Sequence, residues 1–296
     1  MDVKPSVGYK LEEYVHTEEE KEYRAKPLYE RTWNVVRMIF NSALFYISMI
    51  PQFLPTSKNY GHNPSLENTW TQDNRGLFVV IHGLYGTPQV DAFLYGGQVE
   101  KAVFYTYEVR APFVPDVGNC PLEKAAAPIL SMVRDYIEKN PGKPVHLIGH
   151  SNGGRIAAYV ETQLRDVAVD IRVTAVAGVF FGTSHMTQLS TVGMVPSFLD
   201  KTIVEDFQEG SQASIELITH MKEPITKGTR SYEFYASAND LHIPNFSSCF
   251  PLVNQDSSPE YHLVTGQDHA SLLSAVSPEV IKNSRQWMSE KTSITV

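Results

Sequence analysis

Cysteine is nearly absent: Cys120 and Cys249 are the only two in 296 residues. Two thiols that far apart build neither a disulfide framework nor a zinc-ligand pair, and this usage leans toward a reducing compartment. Positive charge is also sparse. Lys and Arg total 25 against 33 Asp and Glu, a net charge of −8, and without a polybasic run no row of phosphates can be neutralised. Nucleic acid is therefore excluded as a partner. The first twenty residues lack the basic start and early apolar stretch of an export signal. The one long apolar run, residues 33–54, is broken by Arg37, Asn41 and Pro51 and falls short of the roughly 20 clean residues of a spanning helix. The expected location is cytoplasmic, with residues 33–50 as the stretch suited to membrane association. No internal repeat or low-complexity tract occurs. What is present, 42% apolar and 20% charged residues, is ordinary globular composition with enough apolar material for one large core.

The chain divides into an extension, residues 1–60, and a main domain, residues 61–296. The run Glu18-Glu19-Glu20 reads as a solvated helix face or a frayed arm. Residues 33–50 fit a helix in which Asn34, Arg37, Asn41 and Ser48 gather in one narrow stripe and the remaining arc is apolar. Such an arc must meet the protein's own core, a second copy in a homodimer, or a membrane surface. Residues 57–75 are polar and turn-rich, as a linker is. Short apolar runs then alternate with helical patterns, the mark of βα units around a parallel sheet. Strands are expected at residues 77–81, 102–109, 144–148, 171–181, 230–237 and 261–264. Helices are expected at 90–101, 122–140 and 155–165, and at 270–290 with an interruption near Ser277-Pro278. Residues 184–228 break the rhythm and read as an inserted cap with one helix over 205–221.

The segment Val145-His146-Leu147-Ile148-Gly149-His150-Ser151-Asn152-Gly153-Gly154 carries the most chemistry. A strand runs into Gly-x-Ser-x-Gly and then a helix, the required context of a nucleophile elbow, although a glycine-rich turn can also merely contain serine. The glycines permit a turn sharp enough to thrust Ser151 out at the strand's end. The following helix aims its N-terminus at developing negative charge. A serine hydroxyl is a weak nucleophile, so it needs a base and a third group that fixes the base's tautomer. Asp240 follows the strand at 230–237, and His269 follows the strand at 261–264.

Val80-Ile81-His82-Gly83, the elbow, Asp240 and His269 together resemble the α/β-hydrolase superfamily, within it the lipase and carboxylesterase-like members, over residues 77–288. The stretch Phe181-Gly182-Thr183-Ser184-His185 is similar to the Gly-Thr-Pro-His of many bacterial lipases, with Ser184 in place of proline. The resemblance implies an α/β-hydrolase fold with a mostly parallel sheet of about six strands flanked by helices, to which the chain's own pattern adds the helical cap and the N-terminal helical extension. It also implies the order serine, acid, histidine, hence Ser151 as nucleophile, Asp240 as acid and His269 as base. His242 stays open as a rival base, being in the acid's own loop. His146 and His262 read as core residues, His150 as packing beside the elbow, and His16, His62 and His220 as surface residues. His82 reads as structural, and Glu205, Asp206 and Asp268 as solvent-facing.

Two backbone amides should hold an oxyanion. One is that of Asn152, the other that of Leu84, with Tyr85 next in line. The implied activity is hydrolysis of a small-molecule acyl ester through an acyl-enzyme, without cofactor or metal. Met186, Leu189, Val192, Met194, Val195, Phe198 and Leu199 in the cap offer apolar surface to an acyl chain, or else seal the cap onto the domain. Two other classes remain open, a ligand-binding or receptor protein that keeps the fold, and a membrane-attached or dimeric scaffold.

Overall fold

Leu77-Phe78-Val79-Val80-Ile81 offers no polar alternate, so a strand built from it must be covered on both faces. The computed structural model describes residues 15, 17–50, 76–84, 94–95, 102–105, 120–191 and 200–293. In chain order its elements are α1 (Glu18–Ala25), α2 (Leu28–Met49), β1 (Leu77–Ile81), β2 (Ala102–Tyr105), α3 (Leu122–Lys139), β3 (Val145–His150), α4 (Asn152–Thr162) and β4 (Ile171–Val176). There follow α5 (Ser184–Thr191), α6 (Lys201–Asp206), α7 (Gln212–Lys222), β5 (Arg230–Ser237), β6 (Glu260–Val264) and α8 (His269–Ser293). The six strands form one sheet in the order β2-β1-β3-β4-β5-β6, every neighbouring pair parallel. β1, β3 and β4 are buried almost throughout. α3 turns Ala126, Ile129 and Val133 inward at the spacing its sequence shows. This is the architecture of the α/β-hydrolase fold, with helices between β4 and β5 and two more ahead of the sheet.

Where boundaries depart from expectation, single residues account for it. α4 begins at Asn152, directly after the elbow and ahead of the expected 155, because the poor helix formers Gly153 and Gly154 mask a first turn that the elbow sets. β4 stops at Val176 because Ala177 takes a positive φ of 50° and leaves the sheet. The cap helix expected over 205–221 is two helices, parted at Gly210 with φ 78°. α8 passes through Pro278 unbroken. Proline cannot bond the carbonyl four residues back, and the Ser277 hydroxyl donates to that carbonyl, Ser274 O, at 3.2 Å. The acidic run at the start of α1 is not wholly solvated, since Glu20 is buried and accepts from Arg24 Nε at 2.8 Å. The linker at 57–75, Leu54, His16, His62, Tyr85, cap residues 192–199 and most of the expected helix at 90–101 lie outside the described residues.

At the amino edge of the sheet a buried ion pair joins α4 to β5. Arg230 Nε lies 2.9 Å from Glu161 Oε1 with both side chains fully buried. Arg230 also donates to the carbonyls of Val169 and Leu164 at 2.6 and 2.7 Å, and the Tyr232 hydroxyl donates to Glu161 Oε2. Breaking such a pair strands a charge in low dielectric. Glu161→Ala is expected to cost about 3–5 kcal/mol, read as a lowered urea midpoint, and an unchanged midpoint would show that the carbonyls alone satisfy Arg230.

Candidate active site

Ser151 stands between β3 and α4 at φ 56° and ψ −124°, a conformation that side chains rarely adopt and that persists only when its surroundings impose it. They do so on three sides. Ser151 N donates to Val176 O at 2.9 Å, carrying the β3–β4 ladder through the serine, and Gly154 N donates to Ser151 O at 3.0 Å. A Cβ on Gly149 would lie 2.2 Å from Gly153 O, and one on Gly153 would lie 2.1 Å from Ile81 O. Only glycine lets the turn close and α4 approach the end of β1. The loop after β1 comes equally near, since a Cβ on Gly83 would lie 2.8 Å from Ser151 Cβ. His82 Nδ1–H donates to Gly83 O at 2.9 Å. Leu84 is half-buried in that loop, and Asn152 is buried at the first position of α4.

Two strands further along, Asp240 sits in the turn after β5. Its Oδ1 accepts the amides of His242 at 2.7 Å and Ile243 at 2.9 Å, and its Oδ2 accepts His269 Nδ1–H at 2.7 Å. Burial alone would raise this carboxyl, but His269 and the two amides outweigh it and hold Asp240 below its ordinary value. Asp240 therefore faces His269 as a carboxylate. The loops bearing the pair are tied together: Ser237 Oγ donates to Gln267 O at 2.7 Å and Gly266 N donates to Asn239 Oδ1 at 2.8 Å. Asp268 is buried, contrary to the solvent-facing expectation. Its Oδ1 accepts Ser271 N at 2.6 Å while its own N donates to Ser271 Oγ at 2.9 Å. This reciprocal cap starts α8 at His269.

The elbow and the acid–histidine pair meet through His150, whose Nε2–H donates to His269 O at 2.9 Å with the two rings 4.8 Å apart. Its sequence signal is only the variable position of the elbow motif, so this link was not foreseen. Among the described residues the Ser151 hydroxyl has no hydrogen-bond partner. In unliganded sites such contacts are often long and tighten when substrate arrives. The rival His242 has its ring 5.0 Å from that of His269 and its Nδ1 4.0 Å from Asp240 Oδ1, but it is largely exposed. Burial and the neighbouring His269 keep it below its ordinary value. His146 is a core residue, bonded to Thr174 and Ser284. His262 is only half-buried, stacked on Tyr235. His220 is exposed and paired with Glu223 at 2.8 Å. Glu205 is exposed, whereas Asp206 is half-buried.

Arg155, one turn into α4, is buried with its guanidinium 5.3 Å over the Phe207 ring, joining α4 to the insertion. Burial pushes it down to about 10. Asp240, His242 and His269 offer metal-ligand atoms within 4.8 Å of one another, as do Glu233, Glu260 and His262. In each set the central carboxylate already accepts several protein donors.

No family model and no curated protein sequence matches the chain. Solved structures do. A structure of the metagenome-derived lipolytic enzymes LipS and LipT aligns at a TM-score of 0.52 and 12% identity, over 73% of this chain and 94% of that one. A monoacylglycerol lipase from Paleococcus ferrophilus aligns at 0.49 and 16%, over 74% and 96%. Est1E from Butyrivibrio proteoclasticus, with bound ferulic acid, aligns at 0.48 and 13%, over 75% and 92%. The first likeness shows that the fold is shared.

Three imidazoles, His82 and His150 near the elbow and His146 in the core, are held neutral. Burial lowers His82 to about 4, His150 to about 3 and His146 well below the ordinary 6.5. A histidine depressed in the folded state takes up a proton on unfolding, so its contribution is present above pH 6.5 and is lost as pH falls toward the folded value. Stability should therefore decline from pH 6.5 to 4 by up to about 1.4 kcal/mol per pH unit for each histidine. Urea unfolding at several pH values measures it. His150→Phe should flatten the slope, and equal stability at pH 7 and 5 would contradict the assignment.

Proposed function

We propose that the chain is a serine hydrolase that cleaves carboxylic esters through an acyl-enzyme on Ser151. The observation that carries the reading is the left-handed Ser151 at the carboxyl end of β3, joined through its neighbour His150 to an Asp240–His269 pair bonded at 2.7 Å. The carboxyl ends of parallel strands are where such folds bind ligands.

In this reading His269 Nε2 takes the Ser151 proton as Oγ attacks the ester carbonyl. Asp240 keeps the Nδ1–H tautomer and supports the imidazolium. The amides of Leu84 and Asn152 hold the oxyanion, helped by the N-terminus of α4. The imidazolium then protonates the departing alcohol, and water repeats the sequence to free the acid. The chemistry calls for no cofactor. Residues 61–296 would form the hydrolase unit and residues 1–60 its extension. Met186 and Leu189, half-buried and exposed on α5, favour a lipid-like acyl ester as substrate.

Ser151→Ala should reduce turnover of short nitrophenyl esters by about three to six orders of magnitude with unchanged thermal unfolding. A fluorophosphonate should label Ser151, located by peptide mass spectrometry. Folded protein that resists labelling would favour a ligand-binding protein on the same fold. Asp240→Asn should cost less than loss of the serine yet still orders of magnitude, and near-normal activity would move the acid elsewhere.

A further inference from the structure

Helix α2 buries one narrow face and leaves a wide apolar arc exposed. Asn34, Met38, Phe45 and Met49 are its buried positions, and the stripe they share faces α8 and the loop before His269. Asn41 Nδ2 donates to Gly266 O at 2.7 Å, and Arg37 Nε lies 3.5 Å from where a Cβ on Gly266 would stand. Of the polar stripe, Asn34 is buried and Asn41 half-buried, whereas Arg37 and Ser48 are exposed beside the buried face. Eleven large apolar residues from Leu28 to Ile50 face outward, among them Trp33 at 63% exposure, Ile39 at 61%, Phe40 at 62% and Ile47 at 63%. At 100° per residue they fill roughly half the circumference over roughly 33 Å of helix. The helix's charged residues, Glu30, Arg31 and Arg37, all fall outside that arc.

Contiguous apolar surface of this extent marks an interaction site, and its shape selects the occupant. A second helix contacts a narrow seam, so pairing two copies along α2 would leave apolar rows wet on both sides. The arc itself carries no charge, and the charged residues at its border, Glu30 and Arg37, are of opposite sign, so it offers no net charge for an ion-paired protein partner or for anionic headgroups to answer. A neutral lipid surface needs no countercharge and wraps half a cylinder. The polar tips of Trp33 and Tyr46 suit the headgroup level. Among the described residues no helix is long and apolar enough to cross a membrane, so α2 would lie along the surface.

We propose that α2 seats this protein on a zwitterionic lipid surface, apolar face immersed, with the helix lying between that surface and the loop before His269. The docking does not depend on the hydrolase reading, so it is tested by flotation of the full chain rather than by turnover.

With phosphatidylcholine vesicles, wild type and Ser151→Ala should rise with the lipid equally. A Trp33→Glu, Ile39→Glu, Phe40→Glu, Ile47→Glu variant should lose at least tenfold of the floated fraction while its thermal unfolding and monomeric mass by light scattering stay unchanged. Wild type remaining at the bottom, the variant floating like wild type, partition that requires phosphatidylglycerol, or a wild-type dimer that the four substitutions dissociate would each overturn the proposal.

Discussion

Everything at the site depends on the Asp240 carboxylate, which is bonded on both oxygens before any ligand arrives. Two backbone amides of its own turn fix Oδ1, leaving Oδ2 a single direction in which to receive the His269 ring. The turn can hold this shape because Asn239 and Ser237 bond the neighbouring histidine loop, which in turn is set by the reciprocal cap of Asp268 and Ser271. These side chains over-determine one another. A residue strained as Ser151 is strained requires such a surrounding, and His150 carries the restraint from the elbow to the histidine.

Two buried polar clusters lie at opposite ends of the strands. At the amino edge, Glu161 with Arg230 and Tyr232 makes a closed, fully bonded cluster that stiffens the scaffold. At the carboxyl edge the buried polar groups converge on exposed ground, with His242 and Leu241 on the solvent side. Thr183 at the start of the insertion donates to His242 O at 2.7 Å, and His185 Nε2–H to Leu241 O at 2.9 Å. The insertion therefore grips the acid turn directly, so a substitution in α5 can reach Asp240 without touching it.

The fold was legible where the signal is local. A buried apolar strand, a Gly-x-Ser-x-Gly turn and a helix lie within a few residues, and Asp240 and His269 each follow a recognisable strand. The structure brings these two within bonding distance and sets Ser151 at the same edge. What escaped was whatever depends on one atom's partner. The stop at Ala177 needs a positive φ in a residue that seldom takes one, and the continuity of α8 needs the Ser277 hydroxyl to answer the carbonyl that Pro278 deserts. The link through His150 escaped because the elbow pattern says nothing of its variable position. Periodicity found the polar stripe of α2 but not which apolar residues beside it, Met38, Phe45 and Met49, would be buried, since so wide an apolar arc can pack along either border.

The bond between Asn41 and Gly266 spans 225 residues of sequence, and this has a consequence for biosynthesis. At about 5–20 residues per second, α2 leaves the ribosome on the order of 10–45 s before the loop that receives Asn41 exists. Throughout that interval the helix has its greasy side ready and its docking partner unmade. In that window α2 can engage another surface before the sheet domain is complete.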